Sequence, residues 1–137
     1  SRIFSTDRIG RTYVGACVGG ELHQIGARMV ADFFEMDGWD TYYMGANTPA
    51  ESILQAINEY RANIVGLSMS VYFHRSTLTD LIRAIRSSEG ASENIRILVG
   101  GYSFINKPEL WKAVGADGMA MNAADAISLA NQLTKGA

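Results

Sequence analysis

The stretch NIVGLS, Asn63 to Ser68, decides the fold. A strand wet on one side alternates apolar and polar residues, whereas a near-continuous apolar run of this length is what a central parallel strand covered on both faces shows. Such a strand needs βα units around it, and they are found in both directions. Upstream lies TYVGACV, Thr12 to Val18, then a helix in which Leu22, Ile25, Met29, Val30 and Phe33 recur at spacings of three and four, expected to stop at Gly38. Next comes DTYYM, Asp40 to Met44, and a helix opening on Thr48-Pro49-Ala50-Glu51. There Thr48 caps, Pro49 fits the first turn and Glu51 completes a capping box, with Ile53, Leu54, Ile57 and Tyr60 as the buried face. Downstream, Leu78, Leu81, Ile82 and Ile85 form one side of a helix, followed by the strand IRILVGG, Ile95 to Gly101. A short helix through Leu110 and Trp111 ends at Gly115, a strand runs near Gly118 to Ala120, and a last helix carries Ile127, Leu129 and Leu133.

Five βα units in succession predict an α/β domain with a parallel sheet, helices on both faces and right-handed crossovers. The best architecture is a doubly wound, flavodoxin-like (Rossmann-like) five-stranded sheet of order 2-1-3-4-5. With 137 residues, 47% of them hydrophobic, the chain reads as one domain spanning 1–137. Ligands of such sheets bind outside the carboxyl ends of the strands, where strand order reverses between the first and third. That places the chemistry in three loops: after Val18, with Glu21 and His23; after Leu67, with Ser68 to His74; and after Val99, with Gly100 to Ser103.

The net charge of −2 with no basic run leaves no footprint for nucleic acid or an anionic membrane surface. Cys17, the single cysteine, has no partner for an internal disulfide. Neither a bilayer-spanning apolar run nor a signal-peptide pattern is visible, so the expected compartment is the cytoplasm. The first strand starts within about a dozen residues of Ser1, as in a module cut from a longer chain.

His23 has no second His or Cys at the local spacing of a zinc site. One reading makes it a single nitrogen donor to a metal-bearing cofactor that brings its other ligands, with Glu21 orienting the ring. The other leaves it solvated in a first helical turn, with Glu21 favouring the helix dipole. Gly19 and Gly20 permit a tight turn, and Gly26 removes a side chain where a bulky group would press on the helix. Gly100 and Gly101 read either as a plain turn or as room for a planar ligand tail. Ser68 and Ser70 either bond neighbouring backbone or face a polar ligand. No G-x-G-x-x-G follows the first strand and no Lys-Ser/Thr pair is present, which excludes a dinucleotide fingerprint and a P-loop.

Together these loops resemble the cobalamin-binding domain of methionine synthase, corrinoid methyl carriers, mutases and cobalamin-dependent regulators. That family carries D-x-H-x-x-G, S-x-L and G-G after its first, third and fourth strands. Here they stand as Glu21-x-His23-x-x-Gly26, Ser68-x-Ser70 and Gly100-Gly101, with 41 residues between Gly26 and Ser68 and 29 between Ser70 and Gly100. The resemblance implies a base-off cobalamin, adenosyl or methyl form, with His23 as lower ligand to cobalt. Glu21 would orient that ligand, Ser68 and Ser70 would line the tail pocket, Gly100 and Gly101 would make room for the tail, and Gly20, Gly26, His74 and Tyr102 complete the implied cofactor-binding set. On this reading Gly101→Val weakens binding without unfolding the sheet. Glu21 stands for the family's Asp and Ser70 for its Leu; His74 takes the place of a relay serine, where it reads as a surface histidine at a helix start or as a second imidazole near Glu21. The glutamate and the wording ARMVADFFEMDGWDTYYMG resemble regulatory and photosensory members most, implying a sensory module. A methyl-carrying corrinoid protein and a heme-binding sensor are the alternatives. The chain has no helical module for the upper face of the corrin, so the resemblance implies an output or capping domain or protein and no catalysis by this chain alone.

Overall fold

The computed structural model describes residues 7–19, 24–88, 94–107 and 109–135. In chain order the elements are β1 (Thr12–Val18), α1 (Gln24–Met36), β2 (Asp40–Ala46), α2 (Ala50–Glu59), β3 (Ile64–Met69), α3 (Arg75–Ser87), β4 (Arg96–Gly100), α4 (Leu110–Ala113), β5 (Gly118–Met119) and α5 (Ala123–Leu133). Short 3-10 turns at Tyr72–His74 and Tyr102–Phe104 follow β3 and β4. All strand pairs are parallel and the order is β2-β1-β3-β4-β5, the doubly wound arrangement that the βα pattern predicts.

Polar side chains pin the lower, amino-terminal ends of the strands. Asn63 accepts from the Thr12 amide through its side chain at 2.9 Å and donates its own amide to the Thr12 carbonyl, fixing β1 against β3. Asp117 accepts from the Ile97 amide at 2.7 Å and from Arg86 at 3.0 Å, fixing β5 beside β4 and tying both to α3. With register set there, residue alternation sends Val14, Ala16, Val18, Val65, Leu67, Met69, Ile97 and Val99 to one face. They meet Ile53, Ala56 and Ile57 of α2 and Leu78, Leu81, Ile82 and Ile85 of α3, the face predicted for that helix. The other face holds Tyr13, Ile64 and Leu98 against Ala31 and Phe34 of α1, Trp39, and Ala126 and Ala130 of α5.

Two expectations fail for local reasons. The capping box at the start of α2 does not form: Pro49 occupies the cap position with no side-chain bond, and Thr48 donates its hydroxyl to the Met44 carbonyl at 2.6 Å. Tyr60 lies past the last turn of α2, exposed and stacked on Tyr42 at 3.7 Å, while Ala56 takes its place in the buried face. No helix among the described residues is long and apolar enough to cross a membrane.

Candidate functional site: a crevice between the sheet and helices α1 and α5

The second face of the sheet is closed only at its lower end. Tyr13 stacks on Phe34 with ring centroids 3.9 Å apart, and Phe34 meets Trp39 edge-on at 5.2 Å, so three aromatics plug that end. Toward the carboxyl ends the side chains on this face shrink: Tyr13 is followed by Gly15 on β1, Ile64 by Gly66 and Ser68 on β3, and Leu98 by Gly100 on β4. A crevice of about 490 Å³ opens there, lined by Tyr13, Gly66, Ser68, Leu98 and Gly100 together with Ser70, Gly101, Tyr102, α1 residues between Ile25 and Phe33, and Asn122, Ala123 and Ala126 at the start of α5. Its size and mainly apolar wall are those of a small-molecule site, and it lies at the switch point between β1 and β3.

Helix α1 supplies the outer wall. The periodicity Ile25, Met29, Phe33 reads as a core stripe, but the structure leaves these side chains exposed, Ile25 at 73%, and buries Ala31 and Phe34 instead. The stripe faces the crevice because the sheet beneath carries glycines rather than side chains that would meet it. Gly26 sits on the same wall, and a Cβ placed there would meet nothing within 4 Å. Protein packing therefore gives no reason for a glycine at this helical position.

The glycine pair after β4 behaves differently. Gly101 has φ +108°, and a Cβ would come within 2.5 Å of the Met69 carbonyl oxygen. On Gly100 it would meet the Ala120 carbonyl at 2.9 Å. Both glycines line the crevice, yet the close approach of β3 and β5 backbone already requires them.

Gly20, Glu21 and His23 lie outside the described residues, between the end of β1 and the start of α1. The flanks of that segment are firmly held. Gln24, the first residue of α1, accepts from Tyr43 Oη through its carbonyl at 3.3 Å and from the Ala46 amide through its side chain at 3.0 Å. With the Tyr43 proton so engaged, the Cys17 thiol, 3.5 Å away, is the donor to the phenol oxygen. Burial pushes the Cys17 pKa up, so it stays a thiol rather than a metal-binding thiolate.

On the other flank Gly19, at φ +94°, leaves the space that the His74 imidazole fills, since a Cβ there would overlap its Nδ1. His74 is thus half-buried against Gly19, in place of the surface position favoured by its place at a helix start. Its Nδ1 is buried without a hydrogen-bond partner among the described residues. Sequence reasoning missed Tyr13, which lines the inner end of the crevice, and Asn122, whose side chain caps α5 by accepting from the Asp125 amide at 2.9 Å. The spacing N-x-x-D was a legible signal for the second; for the first, the signal was two glycines, Gly15 and Gly66, directly opposed on neighbouring strands.

Doubly wound architecture and a crevice at the switch point, lined by the motif loops after β3 and β4, are those of a cofactor-binding α/β module. The family model for the B12 binding domain matches residues 11–129, and the chain belongs to that family. Dimethylamine corrinoid protein 1 of Methanosarcina acetivorans is 27% identical over 121 residues, 88% of this chain and 55% of that protein. A crystal structure of a cobalamin-binding protein from Desulfitobacterium hafniense superposes with a TM-score of 0.80 at 26% identity, covering 90% of this chain and 59% of that one. The methanol:cobalamin methyltransferase complex MtaBC from Methanosarcina barkeri has a chain of the same fold, with a TM-score of 0.74 at 20% identity over 91% of this chain and 47% of that one. The chain spans somewhat more than half the length of the first two of these relatives. The names of these relatives are those of corrinoid and cobalamin-binding proteins, and they match the methyl-carrying alternative better than the sensory reading drawn from Glu21 and the wording ARMVADFFEMDGWDTYYMG.

Proposed function

We propose that this chain is the corrinoid-carrying module of a methyltransferase system, holding a methylated cobalamin-type cofactor in the crevice and presenting it to a separate methyltransferase. The observation that carries this reading is the wall of α1: an apolar stripe left exposed beside a glycine that no protein atom requires. Burying the nucleotide tail there would remove Ile25, Met29 and Phe33 from water, at about 25 cal/mol for each Å² covered.

The residues present fit the group. Ser68 and Ser70 stand at the mouth as polar contacts for the tail, and Gly26 leaves room where it passes α1. His23 is the residue that would hold the cobalt from below, and Glu21 the carboxylate that would accept from its other ring nitrogen and fix the tautomer. When bound, the corrinoid supplies a cobalt centre that accepts and releases a methyl group. The chain itself holds the lower side and orients the cofactor, while positioning of methyl donor and acceptor falls to the partner. The names of the relatives support this division, since each curated or solved relative above is described as a corrinoid or cobalamin protein or lies within a methyltransferase complex.

The test is reconstitution with hydroxocobalamin, reduction to the cobalt(II) state, and electron paramagnetic resonance on protein labelled with 15N-histidine. The expected spectrum carries hyperfine splitting from the labelled nitrogen, lost in His23→Ala. Splitting unchanged by the label would refute histidine ligation, and an absorption spectrum showing uptake of heme but no corrinoid would refute the cofactor itself.

A further inference from the structure

Tyr13 is 4% exposed as a residue and lines the crevice, and its hydroxyl makes no hydrogen bond to another described residue. A phenol hydroxyl at the wall of a crevice with no protein partner is a donor free to meet a ligand there. The ring lies flat across the sheet because both positions it covers are glycines: a Cβ on Gly15 would come within 2.9 Å of the ring, and one on Gly66 would overlap the hydroxyl oxygen. Tyr13 is held from behind by its stack on Phe34, so the phenol is a fixed group. Gly66 is two residues further into the sheet than Ser68, which puts the hydroxyl about 7 Å deeper than the serine. The remaining polar lining residues, Ser68, Ser70, Tyr102 and Asn122, all belong to the mouth, so the inner end presents a single polar group.

We propose that Tyr13 selects the lower base of the corrinoid, its hydroxyl donating to an acceptor atom on the buried edge of that base. The inference rests on the crevice being the tail pocket. Burial pushes the Tyr13 pKa well up, so the phenol keeps its proton and acts as a donor throughout the working pH range. A base with two methyl groups at that edge leaves the hydroxyl desolvated and unbonded; a base with an ether or hydroxyl oxygen there satisfies it. Tyr13 is accordingly a specificity-determining residue and takes no part in the methyl transfer.

Three probes separate the possibilities: cobalamin, whose base ends in two methyls; the cobamide with a 5-methoxybenzimidazole base; and cobinamide, which has no base. Affinities are measured by titration of the apoprotein and of Tyr13→Phe, which keeps the ring stack and is checked for an unchanged melting temperature. The expected result is that the wild-type chain prefers the methoxy cobamide by roughly fivefold, the yield of one hydrogen bond, and that Tyr13→Phe brings the two to near-equal affinity. A preference that survives Tyr13→Phe, or a wild-type preference for cobalamin, overturns the role of Tyr13 while leaving the tail pocket intact. Cobinamide binding as tightly as either, or no binding of any corrinoid, overturns the tail-pocket reading and the inference with it.

Discussion

The two faces of one sheet carry opposite designs. On the face covered by α2 and α3, β1, β3 and β4 present Val14, Ala16, Val18, Val65, Leu67, Met69, Ile97 and Val99, and the helices meet them along their whole length. On the face covered by α1 and α5, the same strands run from Tyr13, Ile64 and Leu98 to Gly15, Gly66 and Gly100, and α1 bridges a gap instead of closing it. The first face contributes stability and no recognition. The second holds its helices by an aromatic plug and by the Gln24 and Tyr43 contacts, and leaves the rest of its apolar surface for a ligand.

The contrast can be broken hardest on the closed face and at its junction with the site. Gly101→Val forces a β-branched residue into φ +108° and drives its Cβ against the Met69 carbonyl, so the sequence-based expectation of a folded, weakly binding variant is replaced by one of unfolding. Strain and overlap together should cost about 3 kcal/mol or more, read as a lowered urea midpoint of the apoprotein. A folded protein of wild-type stability would show that β3 and β4 do not approach as described. Leu78→Ala, at a position with no exposure, should cost about 3 kcal/mol, whereas Met29→Ala on the crevice wall should change apoprotein stability by less than about 1 kcal/mol. Equal losses at the two positions would mean that α1 packs as α3 does.

The topology was legible because NIVGLS, five βα periods and the glycines ending the helices all obey local rules. What escaped were features decided by a second element. A helical stripe such as Ile25, Met29, Phe33 has the same period whether it meets a sheet or a ligand, and only the glycines on neighbouring strands decide between them. Thr48 is a sound capping residue by its spacing, but the Met44 carbonyl competes for its hydroxyl. Gly26 and Gly101 look equivalent as letters: one is surrounded by open space, the other by Met69 backbone. The crevice residues after β3 and β4 were legible because they follow strand ends, where the fold concentrates ligand contacts; Tyr13, low on β1, obeys no such rule.

That difference between glycines gives a sharper test, in which stability and binding move in opposite directions. Gly26→Ala places a methyl group where no protein atom lies within 4 Å and removes glycine's entropic penalty from a helix. The apoprotein should gain about 0.5 kcal/mol, seen as a melting temperature higher by a degree or two, while corrinoid affinity falls. A gain in stability with no loss of affinity would remove Gly26 from the ligand's path.

The smallest effect concerns pH, and it separates the faces again, because the buried ionisable groups whose proton affinity is raised lie on the α1 side. Burial raises the pKa of both Cys17 and Tyr13 above their ordinary values of 9.0 and 10.0. In the unfolded chain these groups release protons once pH passes those ordinary values, while in the folded chain they hold them. The unfolded state then binds fewer protons, so stability is fully present below about pH 8 and declines as pH rises through 9 and 10. The urea midpoint should therefore fall between pH 8 and pH 10.5 with a slope that Tyr13→Phe reduces and Leu78→Ala, on the other face, leaves unchanged. A slope untouched by Tyr13→Phe would mean that the phenol ionises as freely in the folded protein as in water, and that the inner end of the crevice is wet.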